Sequence, residues 1–245
     1  MESLESLLGE SQRTVIFTGA GISTESGIPD FRSPNGIWSK TTPIYYQDFL
    51  ASEEARREAW RRKMIADREM REAQPNRGHR AVAELVSRKT VTSVITQNID
   101  GLHQKSGVPE HRLIELHGNT TYASCLTCGS RYALEPILED FARDESLPLC
   151  VACGGIVKTA TISFGQPMPR AAMDRAEADT LGCDLFVAIG SSLVVYPAAG
   201  FPMLAKQNGA RLVIINREPT ELDGLADLVL NTEIGETLGD AVGVC

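Results

Sequence analysis

Short runs of consecutive apolar residues recur along this 245-residue chain at intervals that suit buried β-strands. Several runs are rich in β-branched residues and do not alternate with polar positions, which is typical of parallel strands covered on both faces. The predicted strands are TVIF at 14–17, VTSVIT at 91–96, RLIEL at 112–116, DLFVAIG at 184–190, RLVIIN at 211–216 and DLVLN at 227–231.

Segments with helical periodicity lie between these predicted strands. The clearest are 78–89 and 197–209, and the second of them ends at an Asn-Gly pair, a common stop signal for a helix. Strands that alternate with helices predict the α/β class, and here a Rossmann-like, doubly wound parallel sheet.

Two stretches interrupt the alternation of strands and helices. Residues 53–73 form a charged helical run, interpreted as a solvated face, and with the aromatic-rich segment before it they predict a helical insertion. The second interruption contains two Cys-x-x-Cys pairs. We therefore expect a Rossmann-like domain at 1–32, 77–118 and 159–245, a helical module at 33–76 and a zinc-ribbon module at 119–158.

The paired cysteines predict one structural zinc ion. Cys125 and Cys128 form the first pair, and Cys150 and Cys153 form the second. The 21 residues between the pairs lie just beyond the usual zinc-ribbon interval of roughly 15 to 20. A redox-active Cys-x-x-Cys is the weaker alternative, because it would not need a second pair. With four protein ligands, Zn²⁺ would stabilise the module and have no open position for catalysis.

The net charge of the chain indicates which classes of partner it is suited to bind. Acidic residues outnumber basic ones by 32 to 24, which gives a formal net charge of −8 and does not suggest a nucleic acid surface. No stretch approaches the roughly 20 apolar residues of a membrane span, and the start lacks the features of a secretory signal. We expect a cytoplasmic protein with no membrane partner and no direct nucleic acid binding.

A glycine-rich turn, TGAGISTESGIPDFR at 18–32, follows the first predicted strand. Gly19 and Gly21 could bring backbone amides to a dinucleotide phosphate. However, Thr24 replaces the third glycine of the dehydrogenase fingerprint, and no acidic residue follows on a strand about 20 residues later. A dehydrogenase is therefore disfavoured, and a tight turn without a ligand stays open as an alternative.

Polar residues collect where the predicted strands end. The carboxyl ends of parallel strands meet at one edge of an open sheet, which is where ligands bind. At such an edge His117 is a candidate general base. His79 and His111 are interpreted as ordinary surface or helix residues, and His103 as the support of a helix or turn. The polar groups are Thr96-Gln97-Asn98-Ile99-Asp100, His117-Gly118, Gly190-Ser191-Ser192 and Asn216-Arg217-Glu218.

Taken in order, these motifs closely resemble the sirtuins from about residue 12 to residue 242. The resemblance implies NAD-dependent removal of acyl groups from protein lysine side chains, with release of nicotinamide and 2′-O-acyl-ADP-ribose. It also implies that NAD is a co-substrate and that one Zn²⁺ is structural. The acyl-lysine peptide would bind as an extended strand beside Phe164-Gly165 and Leu193-Val194.

The resemblance further implies roles for single residues. His117 would be the base, Asn98 would order a water molecule, and Asp100 would shape the nicotinamide pocket, so that these three form the catalytic set. The implied NAD contacts are Ala20, Gly21, Thr24, Phe31, Arg32, Gln97, Ile99, Asp100, His117, Ser191, Ser192, Asn216 and Ile234.

The sequence departs from the family pattern at a few positions. Thr159 stands where proline is common, and Gln166 stands where glutamate is common. Segment 59–64 lacks the tyrosine of the Tyr-x-x-Arg pair found in members that prefer succinyl or malonyl groups, so a neutral acyl group is favoured. A protein mono-ADP-ribosyltransferase with the same NAD site is the alternative enzyme. A binding module without activity is a third reading, disfavoured because it would not need a base at the ribose.

Overall fold

The computed structural model describes residues 3–31, 36–39 and 41–245. Arg32, one of the predicted NAD contacts, lies outside the described residues. The strands are β1 (Thr14–Thr18), β2 (Val91–Thr96), β3 (Leu113–Glu115), β4 (Gly118–Cys125), β5 (Arg131–Ala133), β6 (Val157–Thr161), β7 (Leu185–Ile189), β8 (Arg211–Ile215) and β9 (Leu228–Leu230). The helices are α1 (Leu4–Glu10), α2 (Tyr46–Ala51), α3 (Glu53–Glu72), α4 (Arg77–Ser87), α5 (Leu102–Lys105), α6 (Leu134–Asp144), α7 (Arg170–Gly182), α8 (Gly200–Gln207) and α9 (Ile234–Val242).

In the described part of the chain, a six-stranded parallel sheet has the order β3-β2-β1-β7-β8-β9. Each of the six strands predicted from an apolar run belongs to this sheet. The order reverses direction on either side of β1, which is the arrangement of a doubly wound fold. The predicted fold class is therefore confirmed.

Both faces of this sheet are covered by apolar side chains. Ile16 of β1 packs in a cluster with α1, α4 and α9 on one face, whereas Val15 and Phe17 pack with α7 and α8 on the other. This alternation follows from the two-residue period of a strand. Because β1 is buried along its whole length, the turn that follows it starts from a fixed position.

A second, antiparallel sheet with the order β5-β4-β6 grows out of the first. Its central strand, β4, begins directly after His117 and ends at Cys125, the first of the paired cysteines. Strand β6 pairs with β4 and leads back to the parallel sheet. The cysteine-bearing segment and the candidate base are therefore joined by one continuous pair of strands.

The charged helix α3 is more than a solvated surface helix. Trp60 is 2% exposed and packs with Phe141 and Val157 in the apolar cluster of the small sheet. Lys63 and Asp67 form a buried ion pair at 2.6 Å, with side chains 8% and 4% exposed. The sequence prediction of a solvated face is therefore wrong for Trp60, which packs in the core of the small sheet, and for Lys63, whose Nζ also donates to Thr120 Oγ1 of β4 at 3.2 Å. Within the described chain, no helix is long and apolar enough to cross a membrane.

Candidate active site at the carboxyl edge of the parallel sheet

A cavity of about 420 Å³ lies along the edge where β1, β2, β7 and β8 end. A smaller cavity of about 60 Å³ shares several of its wall residues, among them Gly21 and Asn216. The larger cavity combines amide and hydroxyl groups after the strands with apolar side chains from the loops after β2, β6 and β7 and from the helical insertion. The polar wall residues include Gln97, Asn98, Ser191, Ser192 and Asn216, and the apolar ones include Ile44, Ile99, Ile162, Phe164, Met168 and Val195.

The glycines of the first turn are required by close packing against the loop after β7. A Cβ atom at Gly21 would lie 2.7 Å from the Cα of Gly190, and one at Gly19 would lie 2.7 Å from the Gly190 oxygen. The amide of Gly19 donates to the Ile189 oxygen at 3.0 Å, and that of Gly21 donates to the Gly190 oxygen at 2.8 Å. These two amides already have acceptors, so the expectation that they reach a phosphate is corrected. Gly21 contributes its α-carbon surface to the cavity.

His117 follows β3 and lines the larger cavity. Its Nδ1 lies 2.9 Å from the backbone oxygen of Gln97. Because a carbonyl oxygen only accepts hydrogen bonds, Nδ1 carries the proton of the neutral ring and Nε2 is the basic nitrogen. The backbone oxygen of His117 in turn accepts from the Ile162 amide at 2.8 Å. The ring is thus held in the tautomer that a general base needs.

Asp100 and Asn98 belong to a buried hydrogen-bond network behind the cavity wall. Ser23 Oγ donates to Asp100 Oδ2 at 2.7 Å, and the Leu102 amide donates to Oδ1 at 2.9 Å. Asn98 Nδ2 donates to Ser23 Oγ at 3.2 Å and to the Gly19 oxygen at 3.0 Å. Burial raises the pKa of Asp100 above its ordinary value, and the bonds from Leu102 and Ser23 oppose this rise.

Asn98 and Asp100, which the sequence analysis placed in one catalytic set, differ in their access to the cavity. Asn98 lines the larger cavity, whereas Asp100 is 5% exposed and lies outside the wall of either cavity. Asn98 Oδ1 accepts no hydrogen bond from the described residues, so it can accept one from a water molecule. Asp100 is linked to the cavity-lining Asn98 through the hydroxyl of Ser23, a residue to which the sequence reasoning gave no role.

Two buried histidines lie beside this hydrogen-bond network. His103 Nε2 lies 2.9 Å from Thr18 Oγ1, and His79 Nε2 lies 3.4 Å from Ser23 Oγ. Their rings meet edge to face at 5.2 Å. Burial lowers the pKa of His79 to about 4 and that of His103 to about 3. Both imidazoles are therefore neutral at pH 7.

The structure gathers most of the predicted NAD contacts. Gln97 Nε2 donates to Ser191 Oγ at 2.9 Å, which ties the ends of β2 and β7 together. Thr24 and Ile234 line the smaller cavity instead of the larger one. The predicted contacts in the wall of the larger cavity are Ala20, Gly21, Phe31, Gln97, Ile99, His117, Ser191, Ser192 and Asn216.

The four paired cysteines converge at the far end of β4 and β6. Their Sγ atoms all lie within 4.8 Å of one another. Cys125 and Cys153, and likewise Cys128 and Cys150, have Sγ atoms 3.5 Å apart. Zinc at about 2.3 Å from four tetrahedral sulfurs would space them about 3.8 Å apart, so this thiol set suits Zn²⁺. The cluster fits the predicted structural zinc site, with every ligand supplied by the protein.

A model of the Sir2 family matches residues 19–197, a range that contains the glycine turn, His117 and the four paired cysteines. The chain belongs to the Sir2 family. The resemblance to the sirtuins is thereby confirmed. The NAD-dependent protein deacetylase of Rhodopseudomonas palustris and NAD-dependent protein deacetylase 1 of Bradyrhizobium diazoefficiens are each 58% identical over 243 residues. These alignments cover 99% of this Sir2 chain and 96% and 95% of those proteins.

Solved Sir2 structures match the whole fold. A Sir2–p53 peptide–NAD⁺ complex is 36% identical and superposes with a TM-score of 0.87, covering 99% of this chain and 98% of that one. A second structure, from work on the mechanism and regulation of Sir2 enzymes, is 41% identical with a TM-score of 0.84, covering 98% and 94%. The large sheet, the helical insertion and the cysteine module therefore belong to one shared fold.

Proposed function

We propose that this Sir2 protein is an NAD-dependent protein lysine deacylase that acts on acetyl-lysine. The observation that carries the proposal is the position of His117, with Nδ1 bonded to the Gln97 oxygen at 2.9 Å in the wall of the cavity at the strand ends. The named relatives and the NAD-containing Sir2 complex support the same chemistry.

Bound NAD would supply an electrophilic ribose carbon with nicotinamide as its leaving group. His117 accepts a proton from the ribose hydroxyls at Nε2, and a general base of this kind contributes roughly a hundredfold to ten-thousandfold in rate. Asn98 holds a water molecule at Oδ1, and Asp100 keeps Asn98 oriented through Ser23. Phe31 and Ile99 cover the nicotinamide end with apolar surface and exclude water from it.

We assign the rest of the dinucleotide to polar groups that follow β7 and β8. Ser191 and Ser192 come from the first of these loops, and Asn216 from the second. The smaller cavity, lined by Thr24 and Ile234, continues from Asn216 and receives the adenosine end. Amides and hydroxyls suit the uncharged sugar and base of this substrate.

The charges around the cavity favour a neutral acyl group. Among the described residues, no lysine or arginine lines the larger cavity, whereas Asp30 and Glu218 do. Arg61 of the helical module donates two hydrogen bonds of 2.6 Å to Glu145, and Arg62 donates one to a glutamate of its own helix. Neither guanidinium is therefore free to bind an acyl carboxylate. Among these described wall residues, a succinyl or malonyl carboxylate would find no cationic partner, and burying it there would carry a high desolvation cost.

The acyl-lysine peptide would lie extended across the mouth of the cavity. Phe164 lines the cavity and is 38% exposed, and Val194, which precedes the cavity-lining Val195, is 43% exposed. Added-strand recognition uses main-chain hydrogen bonds for affinity and side-chain pockets for specificity. We place the enzyme in the cytoplasm, because the four thiolates of the zinc site persist best in a reducing compartment.

The proposal is tested by incubating the pure protein with NAD and a panel of acetyl-, propionyl- and succinyl-lysine peptides. Mass spectrometry should find one nicotinamide and one O-acyl-ADP-ribose for each acyl group removed, with the acetyl peptide preferred over the succinyl peptide. ADP-ribose attached to protein, formed without an acyl peptide, would instead support the mono-ADP-ribosyltransferase, which no observation at this site favours.

A further inference from the structure

Lys158 of β6 is a buried cation without a carboxylate partner. Lys158 is only 5% exposed, and burial lowers the pKa of its ammonium group to about 8. Within the described chain no aspartate or glutamate contributes to that pKa. By comparison, Lys63, whose side chain is 8% exposed, has Asp67 at 2.6 Å. An ammonium held in the interior without a counter-ion needs another set of partners.

Those partners are backbone carbonyls of β6 itself. Lys158 Nζ donates to the Thr161 oxygen at 2.5 Å and to the Thr159 oxygen at 3.4 Å. The two threonines bracket the place where the ladder between β4 and β6 is irregular. There, residues 119–122 of β4 lie opposite the single residue Ala160. The ammonium therefore supplies donors where the regular ladder is interrupted.

The same ammonium also contacts the helical insertion. It lies 5.8 Å from the ring centroid of Phe49, which belongs to α2 and is 2% exposed. A buried cation over an aromatic face is attracted by the ring quadrupole. The start of α2 reaches the loop after β6, because the Tyr46 amide donates to the Phe164 oxygen at 2.9 Å and the Tyr45 ring lies 6.0 Å from the Phe164 ring. Helix α2 thus contacts this segment at two places, at its first residue and at Phe49.

The backbone between these two attachments forms a wall of the cavity. Thr161, Ile162, Ser163 and Phe164 all line it, whereas Lys158 does not. The Ile162 amide also donates to the His117 oxygen at 2.8 Å. A shift of the Thr161 carbonyl would therefore move the peptide-facing loop more directly than it would move the strand ends at the opposite wall.

We propose that Lys158 is a positioning residue for the acyl-lysine peptide. The ammonium of Lys158 fixes the Thr161 backbone, so that Ile162 to Phe164 keep the shape of the peptide-binding wall. The inference rests on the proposed deacylase function and adds a residue outside the cavity that controls peptide affinity. Its effect is expected mainly on the peptide side of the site, because Lys158 holds the Thr161 carbonyl and Ile162 to Phe164 form that wall.

The test compares Lys158→Met, which keeps length and apolar bulk, with Lys158→Arg, which keeps a charged donor. For Lys158→Met we expect the KM of the acetyl-lysine peptide to rise about tenfold, with kcat and the KM of NAD within about twofold of wild type. Lys158→Arg should return the peptide KM to within about threefold. Lys206→Met, at a lysine paired with Asp227 and outside both cavities, is the matched control and should leave every constant unchanged.

An unchanged peptide KM in Lys158→Met would overturn the inference. So would a parallel loss of NAD affinity, zinc content and peptide affinity, because that pattern is a general structural defect. If Lys158→Met does not fold, Phe49→Leu decides the question: a raised peptide KM with an unchanged NAD KM supports the inference, and an unchanged peptide KM contradicts it.

Equilibrium binding separates this inference from the proposed function. The Kd of a fluorescein-labelled acetyl-lysine peptide is measured by anisotropy for wild type and Lys158→Met, without turnover. A wild-type protein that binds the peptide but removes no acetyl group would contradict the deacylase proposal alone. Equal Kd values for the two proteins would contradict the role of Lys158 alone.

Discussion

Ser23 Oγ donates a 2.7 Å hydrogen bond to Asp100 Oδ2, and both residues are buried. The bond joins the turn after β1 to the loop after β2, and both segments line the larger cavity. The same Ser23 oxygen accepts from Asn98 Nδ2 at 3.2 Å. One hydroxyl therefore couples a buried carboxyl group to the amide that faces the substrates.

Replacing Ser23 with alanine should destabilise the fold. The change removes a donor from a buried carboxyl group and an acceptor from the Asn98 amide, at a cost of about 1–3 kcal/mol in the free energy of unfolding. Urea denaturation followed by circular dichroism measures it. Ser87→Ala, at an exposed serine near the end of α4, should change the same free energy by less than about 0.5 kcal/mol. Equal stability of the two variants would refute the proposed importance of the Ser23 bond.

The buried histidines should make stability depend on pH. Because the folded-state pKa values of about 4 for His79 and about 3 for His103 lie below the ordinary value of 6.5, the unfolded chain binds more protons between these limits. Stability is therefore present above pH 6.5 and is lost as the pH falls towards 4. Each histidine should contribute a loss of about 2 kcal/mol between pH 7 and pH 5.

The variant His103→Gln should remove its share of that loss, so that the difference between unfolding free energies at pH 7 and pH 5 shrinks by about 2 kcal/mol. His111→Gln, at an exposed histidine, is the control and should keep the wild-type difference. If the His103 variant shows the same pH dependence as wild type, the ring is not held neutral by burial.

The glycine turn should respond to an added methyl group according to its surroundings. Gly21→Ala would place a Cβ atom 2.7 Å from backbone of the loop after β7, and should cost about 1–3 kcal/mol of unfolding free energy. Gly9→Ala adds a methyl group to α1 where no atom lies within 4 Å, and should be neutral or stabilising by up to about 1 kcal/mol. A Gly21 variant as stable as the Gly9 variant would show that the two loops do not pack as described.

Loss of the zinc ion should also change the environment of Trp60, which lies on α3 outside the cysteine module. Cys150→Ser should abolish zinc binding, measured by elemental mass spectrometry, and should unfold the small sheet. Because Trp60 packs in the core of that sheet, its fluorescence emission should shift to longer wavelength in a Trp38→Phe background. Cys245→Ser, at an exposed cysteine outside the cluster, should retain one zinc ion and the native emission. Retention of zinc by Cys150→Ser would contradict the assignment.

Local patterns in the sequence predicted the large sheet, the zinc ligands and the cluster of polar strand ends. Each of these depends on residues that are close in sequence, such as the apolar run of β1 or the spacing of Cys125 and Cys128. Strands β4 and β6 escaped prediction as strands because GNTTYASC and VKTAT contain few apolar residues. Their pairing depends on the rest of the small module.

Contacts between distant segments could not be predicted from such patterns. Ser23 and Asp100 are 77 residues apart in sequence, and Gln97 and Ser191 are 94 apart. The turn after β1 shows the same limit, since its glycines suggested phosphate contacts while their amides are used by the loop after β7. Lys158 begins the segment that resembles the family's substrate-loop motif, but only the fold reveals that its ammonium is buried.

The central claim is that His117 is the base of an NAD-dependent deacetylase, and one comparison tests it most directly. Wild type and His117→Ala are incubated with NAD and an acetyl-lysine peptide, and nicotinamide and deacetylated peptide are counted by mass spectrometry. Wild type should release one nicotinamide for each acetyl group removed, while the variant should keep its zinc and deacetylate at least about a hundredfold more slowly. Deacetylation by the variant at the wild-type rate would contradict the account.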